Sequence, residues 1–125
     1  MKTVKIYVRG ICRNTGKYKE IKKGEYLAIL EYKAKTKIIK GENINVTTNQ
    51  MIIQGAIESI KLLKEPCNVE LYVTTNIGIK KFKKSVNREL LICLMELIEK
   101  NGHSLKEIVS NKRQLQLKEL MKNKL

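Results

Sequence analysis

A chain of 125 residues has the length of one compact domain, and its net charge of +14 makes polyanions its natural partners. All twelve of its acidic residues are glutamate, which argues against a magnesium chemistry built on short-armed aspartates. The opening MKTVKIYVRG has no signal-peptide core and no apolar run approaches the ~18 residues of a membrane span, so a membrane role is excluded and a soluble, cytoplasmic protein is the expectation.

Taken in chain order, residues 3–8 (TVKIYV) alternate apolar and polar, while 24–33 and 35–40 are rich in β-branched and aromatic residues. Three successive strands are predicted. The stretch between the first two, RGICRNTGKYKEIKKG, holds three glycines and reads as a long turn. From Thr47 the period lengthens: Ile53, Ala56, Ile57, Ile60 and Leu63 mark one face of a helix that ends before Pro66, with Thr48 or Asn49 as its N-cap. Residues 68–74 (NVELYVT) suit a fourth strand, 77–84 (IGIKKFKK) a short basic helical segment, and 87–100 an apolar helix stopped by Asn101-Gly102. A fifth strand at 104–109 and a helix at 111–123, carrying Leu115, Leu117, Leu120 and Met121, complete the chain. The order βββαβααβα implies an α/β fold with a mixed five-stranded sheet flanked by helices, in a single domain over residues 1–125.

Four short strings in this order are informative together. IYVRGIC closes the first strand, VTTNQMIIQGAI opens the first long helix, LYVTTN ends the fourth strand, and NKRQLQL opens the last helix. In sequence and position they resemble the motifs of ribonuclease H of type 1 along nearly the whole chain. The resemblance implies the RNase H-like fold, and puts Arg9, Ile52, Thr74 and Leu115 where that family carries the four carboxylates that hold two magnesium ions. A guanidinium at position 9 would repel such an ion by roughly a few kcal/mol at ~4 Å. The expectation is therefore a degenerate member that needs no cofactor, binds no metal and does not cut.

What the resemblance leaves in place is the substrate-holding part. It implies that Gly10, Cys12 and Asn14 occupy the turn that touches the RNA strand; Arg9, at the first acid position, is expected to pair with a backbone phosphate, and Arg13 is counted with them as a nucleic-acid-binding residue. Thr47, Thr48, Asn49 and Gln50 match the stretch that contacts sugars and a phosphate, and Asn76 matches an amide that reads a base edge in the minor groove. Lys80, Lys81, Lys83 and Lys84 match a basic protrusion that grips the DNA strand. Uncharged donors suit 2′-hydroxyls and groove shape, and lysines add affinity without sequence preference. The implied partner is RNA–DNA hybrid or double-stranded RNA.

Simpler readings stand beside these. T-T-N before a helix can be a cap alone, K-K-F-K-K a solvated face with Phe82 in the core, and Arg9 merely an exposed strand end; the lysine content is also that of an A/T-rich genome. Cys12, Cys67 and Cys93 have neither disulfide nor zinc-site spacing and read as buried thiols, and the lone His103 reads as structural. A different class of function, an interaction or inhibitor subunit of the kind phage and mobile elements carry, would dock on a protein or ribonucleoprotein. No Cys-His, Ser-His-Asp or phosphate-loop grouping supports an active nuclease of another design.

Overall fold

The computed structural model describes residues 1–15 and 21–122. Its elements are β1 (Lys2–Thr15), β2 (Ile21–Tyr32), β3 (Lys35–Ile44), α1 (Thr48–Lys61), β4 (Cys67–Val73), a 3-10 segment (Ile79–Lys84), α2 (Arg88–Lys100), β5 (Ser104–Val109) and α3 (Gln114–Lys122). The sheet order is β3-β2-β1-β4-β5, with β1, β2 and β3 antiparallel and β4 and β5 added in parallel. The predicted element order and the mixed sheet are those found. No described helix is long and apolar enough to cross a membrane.

Central β1 is buried on both faces, which is why Ile6, Tyr7 and Val8 are apolar in succession, after half-buried Lys5. Val4, Ile6 and Val8 pack with Val69, Leu71 and Val73 of β4 under α1 and α2, through Ile53, Ala56, Ile57, Ile60, Leu91 and Leu94. On the opposite face Tyr7 and Tyr72 stack at 4.5 Å and join Leu27, Ile29, Leu117 and Met121 beneath α3.

The segment read as a long turn is largely sheet. β1 runs on to Thr15, and Gly10, Cys12 and Arg13 pair with Tyr26, Gly24 and Lys23. Two of its glycines serve close approach rather than a turn. A β-carbon on Gly10 would stand 2.8 Å from the Thr48 carbonyl oxygen and 2.9 Å from Ile52 Cγ1; one on Gly24 would stand 2.5 Å from Val46 Cγ2. Glycine is present because the start of α1 lies directly on the strand, a long-range contact that looks like a turn signal locally. The remainder of that predicted turn, residues 16–20, and position 123 of the predicted last helix lie outside the described residues.

Thr47, not Thr48 or Asn49, is the α1 N-cap. Residues 111–113 precede α3 as a turn, with Arg113 at φ 64°, and Leu115 is an exposed residue of that helix rather than part of its core face. Cys93 is exposed and Cys12 half-buried; of the three thiols, all unpaired, only Cys67 is buried. The C-terminal stop of α2 is as expected: Gly102 takes φ +71° and the His103 N–H returns to the Ile98 carbonyl at 2.9 Å. His103 is structural, its buried ring accepting from the Cys67 N–H at 3.0 Å.

Gly10→Ala will push a methyl into backbone that cannot retreat, and we expect a loss of about 1–3 kcal/mol of stability in urea denaturation. Burial pushes the phenols of Tyr7, Tyr26 and Tyr72 above their ordinary range. The folded chain thus holds these protons more tightly than the unfolded one, so their contribution is complete below a pH of about 10 and is lost as pH rises through the folded values. Urea midpoints at about pH 8 and about pH 11 should show the fall, with tyrosinate absorbance lagging behind that of the unfolded chain.

Candidate functional site

The site begins where β1 passes under the start of α1. Thr47 and Gln50 form a reciprocal cap: the Gln50 N–H donates to Thr47 Oγ1 at 3.1 Å and the Thr47 N–H donates to Gln50 Oε1 at 2.8 Å. Both side chains predicted to contact substrate are therefore occupied in helix capping, whereas exposed Thr48 and half-buried Asn49 are not used by the cap. Cys12 approaches the same segment, its Sγ donating to the Val46 carbonyl at 3.2 Å. Gly10, Cys12 and residues 46–52 form one continuous neighbourhood, as the predicted assignment required.

Because residues 9–13 are strand rather than turn, however, their side chains alternate. Gly10 and Cys12 face α1, while Arg9, Ile11 and Arg13 line a cleft on the α3 side of the sheet. Of the predicted nucleic-acid-binding residues, Gly10 and Cys12 thus share the α1 face, while Arg9 and Arg13 lie on the other. Asn14 continues β1, and its side chain lies outside the described residues.

Arg9 is half-buried and its Nη1 donates to Gln114 Oε1 at 3.5 Å, a long bond that leaves most of the guanidinium's donors available. Gln114 in turn is 7% exposed and donates from Nε2 to the Val8 carbonyl at 3.2 Å, fixing the first turn of α3 on the central strand. An ion pair between Arg113 and Glu31 fastens the same corner to β2, and the Arg113 guanidinium lies 5.1 Å from the Tyr7 ring centre. Gln114 was not singled out from sequence. Its signal was slight, a polar residue one place before the expected acid position, and only the packing of α3 reveals its use.

Of the four positions the resemblance assigns to carboxylates, Ile52 is 4% exposed and belongs to the core beneath Gly10, whereas Leu115 is 74% exposed. Thr74 follows the last residue of β4, whose carbonyl accepts from the Ser110 N–H at 2.8 Å and so ties the ends of β4 and β5 together. A two-magnesium centre requires several carboxylate oxygens. The side chains of Arg9, Ile52, Thr74 and Leu115 offer a single hydroxyl, and among the described residues no group of three or more His, Cys, Asp or Glu is placed to hold a metal ion. This donor set does not fit the ions.

Asn76 is placed by an acid rather than by open space. With its amide nitrogen turned toward Glu107 it donates to Oε1 at 2.6 Å, and the neighbouring Ile77 N–H donates to Oε2 at 2.8 Å. Glu107 on β5 thus orients the loop that leads into the basic 3-10 segment. There Lys80, Lys81, Lys83 and Lys84 present their cations outward, while Ile79 and Phe82 pack on the core and anchor the segment by its apolar side. Gln50 shares a hollow of about 380 Å³ with Ser85–Leu90, which connects the start of α1 to the end of this segment. The same alternation brings in Lys23, Glu25, Lys118 and Lys122 around Arg9 and Arg13, none of which sequence reading marked; the only trace was the four-residue spacing of Lys118 and Lys122 on one helix face.

No protein-family model matches the chain. Among curated proteins, ribonuclease H of Caldicellulosiruptor saccharolyticus is 44% identical over 73 residues, covering 58% of this chain and 46% of that protein. Ribonuclease H of Campylobacter jejuni is 36% identical over 80 residues, covering 64% and 51%. The matches span about half the length of these relatives. Among solved structures, LC11 ribonuclease H1 in complex with RNA/DNA hybrid superposes with a TM-score of 0.67 at 13% identity, covering 94% of this chain and 92% of that one. Ribonuclease H1 of Halobacterium salinarum gives 0.59 at 16% identity, covering 90% and 89%. The chain is RNase H-like in sequence and in fold.

Thr47→Ala removes the cap acceptor, and we expect it to cost about 1 kcal/mol in thermal or urea unfolding. Thr48→Ala, outside the cap, should leave stability within about 0.5 kcal/mol of the parent.

Proposed function

We propose that this protein is a pseudo-ribonuclease H that binds RNA–DNA hybrid or double-stranded RNA and does not cleave it. The observation that carries the reading is the exchange at the four acid positions: cation, buried alkyl, hydroxyl and exposed alkyl stand in place of carboxylates. The groups suited to holding a duplex are retained around them. Thr48 and Asn49 offer uncharged hydrogen-bonding groups beside the end of β1, and the anchored 3-10 segment offers four outward lysines. Relatives bearing the name ribonuclease H, and a structural neighbour solved with RNA/DNA hybrid, support the same class of ligand. In this reading Arg9 takes a backbone phosphate with the donors that its long bond to Gln114 leaves over. The protein acts in the cytoplasm, where hybrid and structured RNA occur.

One feature favours a second reading. Leu115 and Val86 are strongly exposed apolar residues, 74% and 98%, and would suit docking on a protein or ribonucleoprotein rather than on nucleic acid alone.

The two separate in one titration. Hybrid, double-stranded RNA, double-stranded DNA and single strands are titrated at two salt concentrations, with and without magnesium. The pseudonuclease reading expects preference for hybrid or double-stranded RNA, a steep salt slope and the same affinity with or without magnesium. Arg9→Ala should weaken duplex binding about tenfold or more, and Lys80→Ala with Lys81→Ala should lower the log–log salt slope by about one for each phosphate no longer neutralised. Cleavage of the hybrid in magnesium or manganese would refute the reading, and weak binding to all four ligands would favour the protein-docking alternative.

A further inference from the structure

The cleft on the α3 side of the sheet has a volume of about 630 Å³; Arg9 and Ile11 reach it from the first motif, while Lys23, Lys118 and Lys122 lie outside every motif of the resemblance. That size lies within the roughly 300–1,000 Å³ of small-ligand sites. Five cations line it, Arg9, Arg13 and Lys23 from the β1–β2 ladder and Lys118 and Lys122 from α3. The two acids present, Glu25 and Glu42, both have interactions of their own, and Glu42 pairs with Lys23 at 3.0 Å. Among the described residues Arg13, Lys118 and Lys122 have neither ion pair nor hydrogen-bond partner for their charged groups.

The cleft is not merely a charged surface, because its lining includes the side chains of Ile11, half-buried on β1, and Met121, buried on α3. Cations arranged around an apolar floor match the chemistry of a nucleotide unit, with charge for the phosphate and a soft, polarizable surface for the base. Lys118 and Lys122 are one helical turn apart and so present their ammonium groups from the same side. Arg13 faces them across the cleft from the strand, supplying the planar donor set that suits phosphate oxygens.

We propose that this α3-side cleft is a second binding site, taking a phosphate-bearing nucleotide unit of a single nucleic-acid strand. It lies on the opposite face of β1 from Gly10, Cys12 and the start of α1. Arg9 is part of its lining, and through this residue a strand leaving the duplex-binding face would pass into the cleft. The site deepens the nucleic-acid reading above, yet it does not need a duplex to be tested.

The test is a fluorescence-anisotropy titration of a labelled eight-nucleotide single-stranded RNA against the full chain and two charge-matched variants. Lys118→Glu with Lys122→Glu alters the cleft; Lys35→Glu with Lys37→Glu makes the same change in net charge on exposed positions at the far end of β3. Circular dichroism establishes that both fold. The proposal expects the cleft variant to bind the strand at least about tenfold more weakly than the β3 variant at the same salt, and nucleoside monophosphate to compete with the strand on the parent chain. Equal weakening by the two variants, or none in the cleft variant, overturns it. Hybrid titrated in parallel separates the two readings: a cleft variant that loses the single strand but keeps the hybrid leaves the duplex-binding face intact. A parent chain that binds the strand through the cleft but not the hybrid sinks the pseudonuclease reading alone.

Discussion

The contact on which the molecule depends is the passage of α1 over β1 at Gly10. A strand that carries a side chain there would hold the helix off, since the Thr48 carbonyl oxygen and Ile52 already occupy the space a β-carbon would need. Close seating brings the α1 face of Met51, Ile53, Ala56, Ile57 and Ile60 onto the sheet, and with it most of the larger core. It also sets the N-cap of α1 beside the end of β1, so the same absence of a side chain serves packing and places the candidate binding residues.

Burial of β1 on both faces has a second consequence. A two-sided central strand must send alternate residues to opposite layers, and it continues to do so after the apolar stretch ends. Residues 9–13 therefore divide their chemistry: small and sulfur-bearing groups go toward α1, long cations toward α3. The helix α3 is seated on that second face by Gln114 on the Val8 carbonyl, by the Arg113–Glu31 ion pair and by Leu117 and Met121 against the Tyr7–Tyr72 stack. These are mixed polar and apolar contacts on a smaller core than the one beneath α1, and they position the lysines of α3 opposite the arginines of β1.

Electrostatics gives the protein its bias toward polyanions without specifying a site. The exposed ion pairs, Lys2 with Glu65 and Lys61 with Glu58 among them, offset little of the charge and contribute little to stability. What localises the cations is the apolar anchoring of their segments. Ile79 and Phe82 hold the 3-10 segment so that its lysines project, and Met121 holds α3 so that Lys118 and Lys122 line a cleft. A basic composition from any origin would give the net charge; only the packed residues between the lysines turn it into surfaces of defined shape.

The order of elements, the mixed sheet and the apolar face of α1 were legible in sequence because each rests on local periodicity: alternation for strands, three- and four-residue steps for helices, Asn-Gly for the end of α2. The motif strings also carried the likeness to ribonucleases H, since that is a property of residue identity in order. The extent of β1 was not legible. Gly10 and Gly24 carry a local turn signal, and their real cause is a helix and a strand end that approach from more than twenty residues away. Nor were the division of Arg9 from Gly10 across the sheet, the burial of Ile52, the exposure of Leu115 or the use of Gln114 and Lys118, because each is decided by which layer packs against which face. Sequence determined which chemical groups this chain possesses; tertiary structure decided which of those groups meet, since meeting depends on contacts between segments that no local pattern encodes.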